Sequence, residues 1–254
     1  MKYAICTVPA APVRKEPSHR TEMTNQLLFG ETMHVLEQND EWFKIRSTYD
    51  NYEGWLTYHL IEEVDESIAT APVRYVATSL INIITHTDQL INAPMGSVLA
   101  GYDEETRLLW NGLYKYHGTI QDVQKPSSPD LFDKTVHAWM NAPYLWGGKT
   151  LMGVDCSGFA QTVFKVMGIT LHRDAYQQAE QGNPVENLAL AKKGDLAFFH
   201  NEAGRITHVG IVLSPNEIIH SSGNVRVDKL DAQGITNREK GIRTHQLHSI
   251  RRHL

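Results

Sequence analysis

The sequence predicts an α+β domain preceded by two small β-barrels, and three features of the chain support this fold class. From residue 3 to about residue 63, short β-rich runs alternate with turn residues. A similar texture returns near Ala71. After the break Pro126-Ser127-Ser128-Pro129, helical spacing comes first and strands follow, as in α+β domains. The predicted domains are residues 1–66, 67–126 and 127–254.

The first predicted barrel consists of β-rich runs that are each too short to bury a face alone. Gly30, Asn39-Asp40 and Asn51 supply turns between them. Several short strands at this spacing indicate a small closed sheet. The runs are residues 8–13, 27–28, 32–36, 42–45 and 54–56.

The second predicted barrel is a weak repeat of the first. The matching segments are residues 11–14 with 71–74, Gly30 with Gly96, and residues 52–56 with 116–120, at offsets of 60, 66 and 64 residues. A module of this length with the late Gly54-Trp55-Leu56 resembles the bacterial SH3-like barrels that often accompany murein enzymes.

The last predicted domain begins with helices and ends in strands. Leu131, Val136, Trp139 and Met140 have helical spacing, and a second helix over residues 156–167 is closed by Gly168. Strands are predicted at residues 195–199, 209–213 and 217–220.

Composition limits the class of protein. The 254 residues are 41% hydrophobic and 21% charged, which is enough apolar material for a buried core. A net charge of -5 without a long Lys/Arg run argues against nucleic acid as a partner. No window approaches the roughly 18 apolar residues of a membrane span, and no signal peptide is recognisable. Two cysteines give no disulfide framework. We therefore expect a cytoplasmic protein with no membrane partner, with a location in the cell envelope as the alternative. We also expect a monomer.

One of the two cysteines has the setting of a nucleophile. Cys156 stands in the first turn of a predicted helix, where the positive end of the helix dipole lowers a thiol pKa. Asp155 before it and Ser157 and Gly158 after it are poor choices for a packed core and suit an exposed elbow. Cys6, in an apolar strand start, is predicted to be buried and structural.

A thiolate nucleophile needs a base and a group that orients the base. Among 13 histidines, His208 begins one predicted strand and His220 ends the next. Two adjacent antiparallel strands can place both rings on one face of a sheet. The other histidines, His245 among them, are interpreted as surface or hydrogen-bonded residues without a role.

Zinc is the alternative use of cysteine and histidine. The sequence contains no His-Glu-x-x-His and no Cys-x-x-Cys pair, and scattered ligands are a weak basis for a metal site. We therefore predict no metal and no cofactor.

Six ordered blocks of the last domain carry a family resemblance. They are Tyr144-x-Trp146-Gly147-Gly148, Asp155-Cys156-Ser157-Gly158-Phe159, Arg173-Asp174, Lys193-Gly194-Asp195-Leu196, His208-Val209-Gly210-Ile211 and His220. Over roughly residues 130–254 the chain resembles the NlpC-type murein cysteine peptidases. The resemblance implies a papain-like core and hydrolysis through an acyl-enzyme. It implies Cys156 as nucleophile, His208 as general base and His220 as the group that orients the imidazole.

The resemblance also implies a substrate. Family members cut cell-wall peptides, most often between γ-D-glutamate and the following diamino acid, L-lysine or meso-diaminopimelate. Paired SH3-like modules ahead of the peptidase are similar to the subgroup that releases L-Ala-γ-D-Glu from peptides with a free amino terminus. Because an ammonium group removed from water must be paired, such a site needs a buried acid. The expected partners are murein stem peptides with a free N-terminal L-Ala, processed during recycling.

In that subgroup the first SH3-like barrel contributes a glutamate and a tyrosine to the cleft. We place them on Glu22 and Tyr58, with Glu31 and Tyr52 as nearby alternatives. Glu22 is expected to face the substrate amine. Arg173 is left with two interpretations, as a clamp for a carboxylate or as a cap for a loop.

The remaining substrate-binding residues implied by the resemblance lie in the last domain. Asp155 is expected to face the amine, and Tyr144 and Trp146 are expected to wall the dipeptide. Asp174 and Ser157 are expected to hydrogen-bond the substrate backbone.

Two other functions stay open. The same Cys/His/His residues would also serve a murein amidase or a cross-bridge endopeptidase, neither of which needs a free ammonium group on its substrate. Alternatively, the SH3-like modules bind the wall and the last domain has no catalytic role, although the presence of Cys156, His208 and His220 argues against this.

Overall fold

The computed structural model describes residues 1–254, and its first sheet ends at Glu63. Seven antiparallel strands form this sheet in the order β3-β2-β6-β5-β4-β1-β7. Alternate side chains such as Val13, Ile45 and Leu56 fill its interior, and Cys6 is fully buried there, as predicted. A 3₁₀ turn spans Tyr58–Leu60. The strands are Tyr3–Cys6 (β1), Ala10–Arg14 (β2), Met23–Leu28 (β3), Thr32–Gln38 (β4), Trp42–Ser47 (β5), Glu53–Thr57 (β6) and Ile61–Glu63 (β7).

The second barrel is less regular than the first. Its strands form one sheet in the order β10-β9-β11 and a separate pair, β12-β8. Residues 71–74 are not a strand, unlike the matching 11–14, because they have no partner to pair with. A short helix precedes the strands. The elements are Glu66–Ala69 (α1), Tyr75–Ala77 (β8), Ile81–His86 (β9), Gln89–Pro94 (β10), Tyr114–His117 (β11) and Ile120–Asp122 (β12).

The two barrels share a tight junction. Val98 N–H donates to Phe29 O at 2.9 Å, and the Phe29 ring belongs to the core of the second barrel. Gly30 is required here because its φ is +75° and an added Cβ would lie 1.8 Å from Val98 O. Tyr114 Oη donates to Glu62 Oε1 at 2.8 Å.

The last domain is a sheet with helices on one face. Its strands run in the order β15-β21-β16-β17-β18-β19-β20, and β20 also pairs with β21, which closes the sheet on itself. The helices are Pro129–Ala138 (α2), Cys156–Val166 (α3) and Ala175–Gln178 (α4). The strands are Lys149–Thr150 (β13), Gly153–Val154 (β14), Asn183–Val185 (β15), Leu196–His200 (β16), Ile206–Ser214 (β17), Glu217–Ser222 (β18), Asn224–Asp231 (β19), Gly234–Thr236 (β20) and Arg243–Arg252 (β21).

Alternation along the strands gives this domain two cores. Phe198 and Val209 pack with the helices, whereas Phe199 and Val212 face the interior of the closed sheet. The first helix begins where Ser128 Oγ accepts a hydrogen bond from Leu131 N–H at 3.1 Å. None of the helices is both long enough and apolar enough to cross a membrane.

Candidate active site

The candidate nucleophile lies at the first residue of α3. Asp155 precedes the helix, and its Oδ1 accepts a hydrogen bond from Gly158 N–H at 2.7 Å. Helix α3 packs against β17 and β18. As a result Cys156 is only 6% exposed, whereas the sequence predicted an exposed elbow.

The electrostatics of this thiol also differ from the prediction. Burial is the larger cause and the nearby Asp155 carboxylate the smaller one, and together they raise the pKa of the Cys156 thiol to about 12. The helix N-terminus acts in the opposite direction but does not outweigh them. In the substrate-free protein the thiol is therefore protonated, and it needs a base in order to attack.

Three buried residues on neighbouring strands form a hydrogen-bonded chain that we call the histidine chain: His208, His220 and Asp228. His208 Nε2 lies 2.8 Å from His220 Nδ1, and His220 Nε2 lies 3.1 Å from Asp228 Oδ2. Strands β17, β18 and β19 are adjacent and antiparallel, which brings the side chains together. Gly210 leaves the necessary room, because an added Cβ would lie 2.7 Å from Ile218 Cδ1 and 3.0 Å from His220 Cβ.

The Asp228 carboxylate, at the end of the histidine chain, determines which nitrogens of His220 and His208 carry protons. Burial opposes ionisation of Asp228, but hydrogen bonds from His220, Arg238 N–H and Arg226 hold its pKa well below the ordinary range. An ionised carboxylate only accepts, so His220 donates through Nε2 and accepts through Nδ1. His208 then donates through Nε2, which leaves the lone pair on its Nδ1.

The same surroundings keep His208 neutral. Burial lowers the pKa of His208 well below 6.5, and the imidazoles of His220 and His245 add to the effect. The resting state that these directions favour is a neutral thiol on Cys156 and a neutral imidazole on His208, and not a thiolate–imidazolium pair.

Asp155 is fully engaged within the protein. Its two oxygens accept hydrogen bonds from Arg173 Nη1 at 3.0 Å and Arg173 Nη2 at 2.6 Å, and from Gly147 N–H at 2.8 Å. Gly158 N–H and the Ser157 hydroxyl donate to it as well. This does not support the predicted contact of Asp155 with a substrate amine, because a carboxylate has about four lone-pair sites and they are filled.

Ser157 and Arg173 belong to the same buried cluster. Arg173 Nη1 donates to Ser157 Oγ at 2.9 Å, so this hydroxyl is already occupied and only 6% of the residue is exposed. Arg173 Nε donates to Asn25 Oδ1 of the first barrel at 2.7 Å. Arg173 is therefore an internal clamp between domains and not a free group for a substrate carboxylate.

Asp174 is the acid of this region that retains capacity for a ligand. It is half-buried and is the N-cap of α4, where its carboxylate and the Gln177 side chain form a capping box, and no other side chain donates to it. Burial raises the pKa of Asp174, and the charges of Asp155 and Asp50 act in the same direction against Arg173. A cation bound at Asp174 would offset both the burial of the carboxylate and its repulsion by Asp155 and Asp50.

Two aromatic residues of the last domain precede the nucleophile in the chain. Tyr144 pairs with Val154, two residues before Cys156, and burial raises the pKa of its hydroxyl, with the Cys156 thiol and Asp155 carboxylate adding to the rise. Trp146 is 57% exposed and its Nε1 donates to Glu22 Oε1 of the first barrel at 2.7 Å. Glu22, the glutamate predicted to come from the first barrel, is thus hydrogen-bonded to Trp146, one of the two aromatic residues predicted to line the dipeptide site.

The predicted barrel tyrosine is not brought to the site. Tyr58 is half-exposed, its ring neighbours are Phe43 and His59, and it makes no hydrogen bond to the last domain. Tyr52 lies there instead: burial raises the pKa of its hydroxyl, and the Asp174 carboxylate raises it further. The correction has a simple cause, since the two tyrosines lie at opposite ends of β6.

Glu31, the alternative to Glu22, has a structural role. It accepts hydrogen bonds from Lys149 Nζ at 3.1 Å and Lys165 Nζ at 2.6 Å, all three residues being buried. Burial opposes the ionisation of Glu31, but the charges of the two lysines outweigh burial and lower the pKa of Glu31 to about 2. Glu31 therefore anchors the first barrel to α3 and β13.

Comparisons with known proteins agree with this architecture. Residues 141–244 match the NlpC/P60 family, and residues 13–59 match the bacterial dipeptidyl-peptidase Sh3 domain. A probable endopeptidase NlpC homolog of Haemophilus influenzae is 38% identical over 134 residues, which cover 45% of this chain and 70% of the relative. The chain belongs to the NlpC/P60 family. It is a cysteine peptidase with a papain-like domain and an N-terminal SH3-like domain, as the sequence predicted.

Longer relatives extend the similarity over most of this NlpC/P60 chain. A γ-D-glutamyl-L-lysine dipeptidyl-peptidase of Bacillus subtilis is 28% identical over 77% of the chain and 71% of the relative. Dipeptidyl-peptidase 6 of Lysinibacillus sphaericus is 26% identical over 91% and 92%. The crystal structure of an NlpC/P60 family protein from Bacillus cereus superposes with a TM-score of 0.81 at 20% identity, covering 98% and 99% of the two chains, so the whole fold is shared.

Two residues of this region, Asp228 in the histidine chain and His245 beside it, are not identified by the sequence pattern. Asp228 stands in the ordinary strand sequence Val227-Asp228-Lys229, and His245 is one of several histidines near the end of the chain. No local motif marks either residue. Alternation in β19 does place Asp228 on the face of Leu230, which is buried, and an acid on a buried face is a signal that a partner is present.

Proposed function

We propose that this peptidase hydrolyses the bond between γ-D-glutamate and an L-diamino acid in murein peptides that carry a free N-terminal L-Ala, and releases L-Ala-γ-D-Glu. The names of the B. subtilis and L. sphaericus relatives support a dipeptidyl-peptidase of this kind. The SH3-like domain match, described as that of a bacterial dipeptidyl-peptidase, supports it independently.

The observation that carries the proposal is the acidic excess beside the candidate nucleophile. Asp174 and Asp155 face a single guanidinium, and Arg173 is already bonded to Asp155 through two nitrogens. A half-buried carboxylate with a raised pKa gains most from an ammonium ligand, because the pair neutralises charge where water is scarce. The L-Ala amine is such a ligand.

We propose that four residues form one cleft, the amine-side cleft: Glu22, Tyr52, Trp146 and Asp174. The Asp174 carboxylate raises the pKa of the Tyr52 hydroxyl, and Trp146 Nε1 donates to Glu22 Oε1 of the first barrel. A site that this interdomain contact closes beyond the second residue of the substrate would remove dipeptides and not single residues or internal fragments. We therefore favour dipeptide release over cleavage within a cross-bridge.

The reaction follows from the proton positions. His208 Nδ1 takes the proton of the Cys156 thiol as Sγ attacks the γ-carbonyl carbon of D-glutamate. First-turn N–H groups of α3 that Asp155 does not cap can stabilise the oxyanion. The imidazolium returns its proton to the amine of the leaving diamino acid, and the C–N bond breaks. Water, deprotonated by His208, then hydrolyses the thioester and restores the thiol.

The substrate chemistry fixes an order of reactions. In intact murein the L-Ala nitrogen is acylated by the lactyl group, so no ammonium group exists there. An amidase must release the stem peptide before this enzyme can bind it. Such a position after amide cleavage is consistent with the recycling of peptide fragments, which we include in the proposal.

Four peptides test the proposal: L-Ala-γ-D-Glu-L-Lys and its diaminopimelate analogue, each with a free and with an acetylated amino terminus. We expect mass spectrometry to find L-Ala-γ-D-Glu from the free-amine peptides only, and none with Cys156→Ala. Equal cleavage of the acetylated peptides would refute the amine requirement. No cleavage of any tripeptide, with cleavage of intact murein, would move the function to an amidase or a cross-bridge endopeptidase.

A further inference from the structure

A third imidazole lies against the histidine chain. The ring of His245, on β21, stacks on the ring of His208 with centroids 4.1 Å apart and an interplanar angle of 23°. It lies 5.6 Å from the ring of His220. One nitrogen from each of the three residues lies within 4.8 Å of the other two. The half-buried His245 bonds Thr244 Oγ1 through Nδ1 at 2.9 Å, and its Nε2 has no partner in the protein.

The proton chain does not account for this ring. Both nitrogens of His220 and Nε2 of His208 are committed to the chain that ends at Asp228, so transfer to the thiol needs no third imidazole. His245 is half-buried, and its Nε2 is not among the fully buried atoms, so an ion from solvent can reach it. An accessible imidazole nitrogen next to two other imidazoles is a suitable position for a metal ligand.

The donor set matches one class of ion. Three neutral imidazoles are ligands for zinc-like divalent cations, whereas Mg²⁺ and Ca²⁺ require oxygen ligands. Asp228 already holds His220 Nε2, the carboxylate–histidine arrangement that orients ligands in zinc sites. We propose that His208, His220 and His245 form an inhibitory binding site for a divalent cation of the zinc class.

The nitrogen positions need modest adjustment to take an ion. Zn–N bonds of about 2.0–2.1 Å in a tetrahedral site keep ligand nitrogens roughly 3.4 Å apart. The 2.8 Å between His208 Nε2 and His220 Nδ1 must therefore widen, and the partnerless nitrogen of His245 must approach. Rotation of the His245 ring accomplishes the second change, since its only hydrogen bond is to the Thr244 hydroxyl and its other contacts are ring contacts with His208 and Phe199.

Inhibition follows from the proton balance. When the ion binds His208 Nε2, the proton that this nitrogen donated to His220 moves to Nδ1 of the same ring. A neutral imidazole bound through one nitrogen carries its proton on the other. Nδ1 then has no lone pair for the thiol proton of Cys156. The ion thus lowers kcat and leaves KM for the peptide unchanged.

The test uses the full chain and compares His245→Gln with His248→Gln, an exposed histidine on the same strand. Inhibition by Zn²⁺ is measured against the metal-free rate of each variant. We expect His245→Gln to weaken Zn²⁺ inhibition by about tenfold or more, and His248→Gln to leave it unchanged. Equal inhibition of both variants would overturn the proposal, as would a Zn²⁺ effect confined to KM.

Two readouts do not depend on activity and so separate this inference from the proposed substrate. Co²⁺ titration of Cys156→Ser should still give tetrahedral visible absorption, because no thiolate is needed. X-ray absorption of the Zn²⁺-loaded wild-type protein should show three imidazole ligands and no sulfur, which keeps the test valid if a variant folds poorly. Sulfur ligation, or loss of Co²⁺ binding in Cys156→Ser, would place the ion on the thiol and contradict the site.

Discussion

The histidine chain and the proposed amine-side cleft are built differently. The chain from His208 to Asp228 occupies three neighbouring strands of one closed sheet, and its members are buried. The cleft joins two domains, since Trp146 of the last domain meets Glu22 of the first barrel. Proton transfer therefore depends on a single sheet, whereas the proposed substrate selection depends on how two domains dock.

This difference separates the expected effects of substitutions. A change in the histidine chain should lower kcat, because the substrate contacts stay in place. A change in the cleft should act on KM and on the free-amine preference. A change in the docking cluster around Glu31 should act first on stability, because the cleft exists only while the first barrel is docked.

The largest effect is expected at the thiol, where the two regions meet. Cys156→Ala removes the nucleophile and should lower kcat by at least about 10³-fold. Cys6→Ala, in the core of the first barrel, is the matched control and should retain the rate per folded molecule. Tripeptide turnover followed by mass spectrometry measures both, and a Cys156→Ala rate within tenfold of wild type would contradict the mechanism.

The docking cluster should show the next largest effect, and it should depend on pH. Glu31→Gln leaves Lys149 and Lys165 buried without a counter-charge, which costs about 3–5 kcal/mol of unfolding free energy. The exposed Glu202→Gln is the control. Because the folded pKa of Glu31 is lowered to about 2, its contribution is present above its ordinary value of 4.5.

That contribution is lost as pH falls from 4.5 toward about 2. Urea unfolding at neutral pH and at several acidic values should therefore show a stability difference between wild type and Glu31→Gln that narrows on acidification. A difference that stays constant would mean that Glu31 is not ionised in the folded protein.

The cleft acid should have a smaller effect that depends on the substrate. Asp174→Asn removes the charge that we propose pairs with the substrate ammonium group, and kcat/KM for free-amine tripeptides should fall about 100-fold, or roughly 2.7 kcal/mol. The nearby exposed Glu180→Gln should have no such effect. If acetylated and free peptides lose the same factor with Asp174→Asn, the residue serves the fold of α4 and not the amine.

The end of the histidine chain should show a moderate effect on kcat alone. Asp228→Ala removes the acceptor that fixes the proton on His220 Nε2, and kcat should fall about tenfold because tautomers of both imidazoles then compete. Asp228→Asn keeps an acceptor oxygen and should recover part of the loss. A parallel rise in KM, or no recovery with asparagine, would indicate a general structural role.

The two regions also differ in how far the sequence could predict them. The cysteine and both histidines stand in short blocks at the start of a helix or in a strand, and the fold brings the histidines together as expected. Asp228 and His245 become neighbours only after β19 and β21 take their places in the sheet, so no local pattern marks them.

Predictions for the cleft were weaker because they required knowledge of the docked domains. Glu22 and Glu31 are equivalent in the sequence, and only docking buries Glu31 between two lysines. Tyr52 and Tyr58 flank the same strand, and the docked face decides between them. The family resemblance implies that Asp155 faces the substrate amine, but Arg173, eighteen residues later, occupies its carboxylate.

The smallest effect is expected at the contact that closes the cleft. Glu22 is exposed, and an exposed charge contributes at most about 1 kcal/mol, so Glu22→Gln should raise KM for free-amine peptides only about twofold to fivefold. Glutamine still accepts the hydrogen bond of Trp146 Nε1, so this variant removes the charge alone. Trp146→Phe removes the donor and keeps an aromatic wall.

If the Glu22 charge attracts the ammonium group, only Glu22→Gln should leave the turnover of acetylated peptides unchanged. Only the effect of Glu22→Gln should shrink as salt is added, since salt screens exposed charges. Matching, salt-independent losses in both variants would mean that this contact holds the two domains together and that the amine preference rests on Asp174.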